Sequence, residues 1–158
     1  MSETGVVRRT TLAQQIARLF GIVFLLIGIL GFIPGITSNF DDFGFAGSDS
    51  DAELLGLFQV SVLHNIVHLL FGVAGLAMSR TWESARTYLL GSGILYIVLL
   101  VYGLIVSQES NANFIPFNNG DDWLHAGLAI ALLASYFLTN RDRDTASGDV
   151  RRDRATTA

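Results

Sequence analysis

The stretch that decides the fold is LFQVSVLHNIVHLLFGVAGLAM, residues 57–78, which contains no Asp, Glu, Lys or Arg. A helix crosses the bilayer core with roughly 17–25 apolar residues, so this run is long enough to span a membrane. Two histidines, His64 and His68, lie one helical turn apart in its middle. An ionisable side chain at membrane depth is costly, so it usually marks a function or a contact between helices. The run therefore predicts a membrane helix with a polar face.

Three more apolar stretches accompany this one, and none of them contains an acidic or basic residue other than histidine. The four predicted spans cover about residues 19–36, 54–78, 88–106 and 123–138. Only 15% of the chain is charged and 51% is hydrophobic, a composition typical of membrane proteins. We predict an all-α polytopic membrane protein with one four-helix transmembrane domain from residue 12 to 140. Residues 1–11 and 141–158 are polar tails, and the second is predicted to be disordered.

The arginines predict the orientation of this domain. All ten basic residues are Arg, and they precede the first span, lie between the second and third, or follow the fourth. The two other loops, residues 37–53 and 107–122, contain none. Under the positive-inside rule, both termini and the middle loop are cytoplasmic. The protein is therefore expected to be a multi-pass protein of the plasma (inner) membrane.

The chain also contains a short internal repeat. NIVHLLFG, residues 65–72, aligns with DWLHAGLA, residues 122–129, and this alignment pairs His68 with His125. RLFGIVFLLIGILG, residues 18–31, resembles RTYLLGSGILYIVLL, residues 86–100, with Arg18 on Arg86. Because each copy contains two helices, the copies share one orientation. The pattern predicts a 2+2 parallel repeat with a two-fold axis along the membrane normal.

Small and polar residues predict how the helices pack. Small residues let membrane helices approach closely, and polar side chains can then bond across the contact. The glycines expected at helix contacts are Gly21, Gly28, Gly72, Gly75 and Gly127. The polar residues expected to bond between helices are His64, Asn65, His68, Asp122 and His125. This hypothesis describes a structural or accessory membrane protein of unknown biochemical function.

Three other uses of the histidines stay open at this point. Haem b could be held between His125 and either His64 or His68, because facing helices of a bundle can supply axial imidazoles. A transition metal could take the three histidines with Asp121 or Asp122. A proton or small solute could move past the histidines, since imidazole titrates near neutral pH. The structural role is preferred to all three, and neither haem nor a metal is predicted as a cofactor.

Several functions are excluded by what the chain lacks. The sequence contains no Cys, which rules out disulfides, thiolate metal sites and cysteine nucleophiles. It also contains no phosphate-binding glycine loop and no nucleophile motif, so no catalytic residue is predicted and a non-enzymatic role is favoured. No basic surface suits nucleic acid. The expected partners are the lipid bilayer and, for a protein partner, either a second copy of the chain or another membrane protein.

The strings LFQVSVLHNIVHLLFGVAGL on the second span and DDWLH at the start of the fourth resemble an uncharacterised four-helix membrane family. This family is known as domain of unknown function 4383 and occurs mainly in actinobacteria. The resemblance covers about residues 12–140, and Asn65, His68, Gly72 and His125 stand at its signature positions. It implies a small bacterial inner-membrane protein. No catalytic residue can be carried over, because the family has none established.

Overall fold

The computed structural model describes residues 10–47, 50–106, 110, 112 and 118–141. This part of the chain is mostly helical and contains four α-helices and one small sheet. The helices are α1 Leu12–Leu30, α2 Val62–Met78, α3 Trp82–Ile105 and α4 Asn119–Leu138. Most of the predicted polar tails, residues 1–9 and 142–158, lie outside the described residues.

Each helix begins where a short polar side chain caps its free N–H groups. Thr11 and Asn118 form capping boxes at the starts of α1 and α4. The side chains of Ser61 and Thr81 accept a backbone N–H at the starts of α2 and α3. Such a cap satisfies a donor that has no partner within the helix and stabilises it by about 1 kcal/mol. The helix starts are thus encoded locally.

The all-α prediction missed a three-stranded antiparallel sheet between α1 and α2. Its strands are β1 Thr37–Ser38, β2 Glu53–Leu54 and β3 Phe58–Gln59, in that spatial order. The apolar run that was predicted to begin a span at residue 54 therefore supplies the end of β2 and all of β3 before α2 starts at Val62. The chain reverses between these strands at Leu55 and Gly56, which both have positive φ. A helix cannot continue through that conformation.

The helices pack as two pairs, α1 with α2 and α3 with α4. The pairs meet mainly through α1 and α3, whereas α2 and α4 share no extensive contact in the described chain. Phe24, Leu89 and Leu132 are the largest apolar side chains fully buried between them. A smaller apolar cluster of Ala52, Leu54 and Val60 lies under the sheet. The sheet therefore closes one end of the bundle.

Glycines bring α1 and α2 into backbone contact. A Cβ atom at Gly21 would lie 2.8 Å from the Leu76 nitrogen and 3.0 Å from the Gly72 oxygen, and one at Gly75 would lie 2.8 Å from the Cα of Gly21. Gly28 lies against the Asn65 backbone in the same way. Gly127 does not take part: it is exposed, and a Cβ there would meet nothing within 4 Å. Its predicted role in packing within the chain is wrong, because it lies on the outward face of α4.

The opposite end of the bundle is joined by two polar side chains. The Gln14 amide of α1 donates to the carbonyls of Ser79 and Arg80 at the end of α2, at 3.1 and 2.8 Å. The Arg86 guanidinium of α3 donates to the carbonyl of Tyr136 near the end of α4, at 2.6 Å. Both groups satisfy carbonyls that the last turn of a helix leaves free. Each helix pair is thus closed by the same kind of bond.

Two of these helices, α1 and α3, are long and apolar enough to cross a membrane by length and composition. The apolar helix α2 is shorter, at 17 residues. Large apolar side chains are exposed along all four helices, including Leu26, Leu70, Leu104 and Ile130. These features support a membrane location.

The close α1–α2 contact predicts opposite effects at two glycines. We expect Gly21→Ala to lower the free energy of unfolding by about 1–3 kcal/mol, because the new methyl group meets backbone atoms that cannot move aside. Gly127→Ala is the matched control and should retain or gain stability, since its methyl group enters open space. Thermal or SDS-induced unfolding in detergent measures both. Equal losses at the two positions would contradict the interface.

Candidate functional site

The predicted polar residues of α2 and α4 are buried in the middle of the fold. His64, Asn65 and His68 of α2 and His125 of α4 are all at most 6% exposed. They lie on the faces of α2 and α4 that also carry Gly72 and Ala129. Burial of four polar side chains in an otherwise apolar bundle makes this region the candidate site.

His64 and His68 form a direct pair within α2. Their Nε2 atoms are 2.9 Å apart, and their rings stack with centroids 4.8 Å apart. One nitrogen donates the hydrogen bond and the other accepts it, so at least one of the two rings is neutral. The spacing of one helical turn brings the rings together. The pair is therefore a polar contact within one helix, and the contacts between helices that were expected of each residue stay a prediction.

Aromatic rings connect this pair to His125. The centroid of His68 is 5.6 Å from that of Phe24 on α1, which stacks at 5.7 Å on Tyr96 of α3, which in turn is 5.4 Å from His125. These separations are typical of favourable ring contacts. Successive contacts thus link five rings into one column through the bundle core, and the rings come from all four helices. We call His64, His68, Phe24, Tyr96 and His125 the ring column.

The ring column repeats the same contact twice. Phe24 meets His68 at an interplanar angle of 47°, and Tyr96 meets His125 at 46°. His68 and His125 also stand equally far from the N-caps of their helices, Ser61 and Asn118. The two histidines thus occupy equivalent places, as their alignment in the sequence indicated.

The predicted alignment of α1 with α3, however, is displaced by one helical turn. It paired Arg18 with Arg86, whereas the contacts at the helix ends relate Gln14 to Arg86. The same register relates Phe24 to Tyr96 and Gly31 to Gly103. The match of Arg18 with Arg86 was misleading, because Arg86 has the role that the Gln14 amide has in the other pair: it donates to carbonyls at a helix end.

Asn65 and Asp122 occupy a second pair of equivalent places. Asn65 is fully buried against Gly31, which follows the last residue of α1, and a Cβ at Gly31 would overlap its amide. Asp122 lies in the same way against Gly103 of α3. Within the described residues, both amide atoms of Asn65 and the Oδ1 atom of Asp122 are buried without a hydrogen-bond partner. Both residues therefore pack against the partner helix of their pair, and the Asn65 amide makes no hydrogen bond among the described residues.

Asp121 joins the sheet to α4. Its Oδ2 atom accepts the backbone N–H of Gln59 in β3 at 3.1 Å and that of Asn118 at 3.0 Å. The side chain is 1% exposed and precedes the apolar part of α4, which begins at Trp123. Burial raises its pKa to about 7, the two N–H groups oppose that shift, and Asp122 and Glu53 add to it. Asp121 thus titrates near neutral pH at the joint between sheet and helix.

The ring column bears on the cofactor hypotheses. The rings of Phe24 and Tyr96 contact His68 and His125 and occupy the core between α2 and α4, so a haem between these histidines does not fit this packing. Among the described residues, no three His, Cys, Asp or Glu side chains are arranged to hold a metal ion. His64 and His68 bring their Nε2 atoms together.

Three important residues were not singled out from the sequence. Phe24 and Tyr96 look like ordinary apolar positions, and only the correct repeat register would have paired them. Arg86 was taken for a flanking charge, yet it is 8% exposed, and its guanidinium lies 4.0 Å from the Tyr136 ring centroid. The sequence feature that could have indicated this burial is the position of Arg86 inside a helix, four residues after Trp82.

Asp121 predicts a pH-dependent stability. Its folded pKa of about 7 lies above the value of 3.8 expected for an unfolded chain, so the folded state binds the proton more tightly. Its contribution is therefore fully present below about pH 4 and is lost as the pH rises through 7. We expect unfolding in detergent to become easier between pH 5 and 8, by on the order of 2 kcal/mol. Asp121→Asn should flatten this dependence, and the exposed Asp41→Asn should not. A pH profile that is unchanged by Asp121→Asn would contradict the assignment.

The comparisons with known proteins agree with the resemblance in the sequence. The family described as Domain of unknown function (DUF4383) matches residues 14–138. No curated protein and no solved structure matches the chain. The match covers α2, α3, α4, all but the first two residues of α1, and every residue of the ring column. The chain belongs to the DUF4383 family.

Proposed function

We propose that the chain is a four-helix integral membrane protein with a structural or accessory role, in which the ring column holds two helix pairs together. The observation that carries the proposal is the distribution of polar and apolar side chains. Arg86, Asn65 and the three histidines are buried, while large apolar side chains cover the outside. Soluble monomers rarely expose apolar patches of more than a few hundred Å². An apolar outside with polar groups inside suits lipid as the solvent.

The charges at the two ends support one orientation. The end with the sheet carries acidic residues and no arginine among the described residues, namely Asp41, Asp42, Asp51, Glu53, Asp121 and Asp122. The other end carries Arg80 and Arg86, and Gln14 and Arg86 join the helix ends there. By the positive-inside rule, this second end and both termini lie in the cytoplasm of a bacterial cell and the sheet lies outside.

An internal duplication accounts for the architecture. Four contacts recur in the two helix pairs: the caps at Ser61 and Asn118, the ring contacts of His68 and His125, the helix-end bonds of Gln14 and Arg86, and the glycine contacts. In the last of these, Gly21 lies against the Leu76 nitrogen and Gly93 against the Leu133 nitrogen. These contacts support a parallel 2+2 repeat independently of the sequence alignment.

A cysteine scan tests the orientation, because the chain has no cysteine of its own. We expect Asp41→Cys, on the sheet end, to react with a membrane-impermeant maleimide in intact cells. Arg80→Cys, in the exposed turn between α2 and α3, should react only after the membrane is opened. Recovery of the protein in carbonate-washed membranes is the accompanying measurement. The reverse labelling pattern would overturn the orientation, and release by carbonate would overturn the membrane role.

The structural role of the histidines has its own test. We expect His68→Ala and His125→Ala each to lower the stability by about 2–4 kcal/mol, because each leaves a cavity beside a buried ring. Ile66→Ala is the matched control on an outward position of α2 and should cost less. Unfolding of the purified protein in detergent measures the three variants. Losses no larger than that of Ile66→Ala would contradict the role.

Metal binding is the second candidate function, favoured by the 2.9 Å separation of the His64 and His68 nitrogens. Once the shared Nε2 proton is released, the two imidazoles would supply half of a tetrahedral site, and a substrate or partner would have to supply the rest. Metal analysis and an absorption spectrum of the purified protein distinguish the candidates. A bound metal that is lost in His64→Gln would support this function, and a Soret band would support the haem hypothesis. A colourless, metal-free protein supports the structural role.

A further inference from the structure

We propose that two apolar tips of the sheet end insert into the lipid interface above the outward faces of α2 and α4. The tips are Phe45, in the segment before β2, and the turn between β2 and β3 with Leu55 and Leu57. The environment that these tips contact is the boundary between lipid headgroups and acyl chains. This inference rests on the proposed membrane role and adds a surface by which the sheet is anchored to the bilayer.

The turn between β2 and β3 presents its apolar side chains outward. Leu55 is 63% exposed and Leu57 is 61% exposed, although both lie in a turn, where polar residues are usual. Leu55 also adopts φ of +57°, a left-handed conformation that branched side chains disfavour. An exposed leucine in a strained conformation is not explained by the stability of the sheet. It is explained if the turn contacts an apolar environment.

Contacts with α4 place this turn above the outward face of that helix. The Asn118 amide donates to the Leu57 carbonyl at 3.0 Å, and a Cβ at Gly120 would lie 2.7 Å from the same oxygen. Trp123 follows Gly120 by three residues, so it lies about 4.5 Å further along nearly the same face. It is 81% exposed, and Ile130 continues the apolar face. A tryptophan at this level is typical of a membrane interface.

Phe45 has the corresponding position above α2. The carbonyls of Gly44 and Phe45 accept the N–H groups of Val62 and Leu63 in the first turn of α2, at 3.1 and 2.9 Å. The Phe45 side chain is 69% exposed at this point. Below it, the outward face of α2 continues with Ile66 and Leu70, which are also exposed. Both outer helices of the bundle therefore carry an apolar tip where their outward faces end.

The distribution of these tips favours lipid over a protein partner. They lie above two helices that share no extensive contact, so they do not form one groove that a single partner would fill. Each tip continues an apolar helix face instead. The sequence from residue 37 to 79 contains no arginine or lysine, so attraction to anionic headgroups does not contribute. Insertion should therefore depend on apolar burial and be insensitive to salt.

Spin labels on the full chain test this inference in phosphatidylcholine vesicles. The labelled variants are Phe45→Cys and Leu57→Cys at the tips, Asp41→Cys as an exposed polar control, and Ile130→Cys on the outward face of α4. Each label is examined for collisions with oxygen, which concentrates in lipid, and with a water-soluble nickel chelate. We expect the ratio of oxygen to nickel collisions to be several-fold higher at the two tips than at Asp41. All four side chains are exposed, so the substitutions remove little packing.

The outcomes separate this inference from the membrane proposal. If Ile130 reports lipid and both tips report water like Asp41, the inference is overturned and the membrane role stands. If Ile130 itself reports water, the membrane role fails. Low collision rates with both reagents at the tips, while Ile130 reports lipid, would indicate a protein contact such as a second copy of the chain and would also overturn the inference. A tip ratio that changes with salt or anionic lipid would contradict the apolar mode of insertion.

Discussion

The stacking of Phe24 on Tyr96 is the contact on which the arrangement of the site depends. These two rings come from α1 and α3, the helices through which the two pairs meet. Each ring also contacts the histidine of its own pair, so the stack sets where His68 and His125 lie relative to each other. Each histidine is thus held in the core by its contact with an aromatic ring of the stack. Their places follow from the packing of the pairs.

A second constraint is the close approach of α1 and α2. Gly21, Gly72 and Gly75 remove side chains where the two backbones touch, and the helices can then bury polar groups between them. In a lipid bilayer, burying apolar side chains between helices brings no hydrophobic gain, because the lipid tails are equally apolar. Small and polar residues therefore determine which helix faces meet. The exposed leucines and isoleucines of this chain then need no partner within it.

The prediction from sequence was most successful where local patterns decide the structure. Apolar runs predicted four helices, and short motifs paired His68 with His125. It failed where distant contacts decide. The all-α expectation omitted the sheet, because the end of β2 and all of β3 lie within an apolar run that is indistinguishable by composition from the start of a span. The alignment of α1 with α3 was one turn out, since it compared side-chain types rather than the bonds that Gln14 and Arg86 form.

The candidate site divides in the same way. His64, His68, Asn65 and His125 stand out in any apolar sequence, because polar groups there are expensive. Phe24 and Tyr96 do not, because an aromatic residue in an apolar helix is ordinary. Gly127 shows the opposite error: it is part of a small-residue pattern but lies on the outward face of α4. Whether a small residue packs depends on which face of its helix the neighbours cover.

The sequence by itself determined the four apolar helices, the residues that cap them, the family and the segregation of arginines from acidic loops. These properties depend on composition and on neighbours within a few residues along the chain. Only the tertiary structure decided that the histidines join one ring column, that Asp121 links α4 to a sheet, and that the tips of this sheet lie above outward helix faces. The physical reason is that each of these contacts joins residues far apart in the chain, and their geometry depends on how the helix pairs pack.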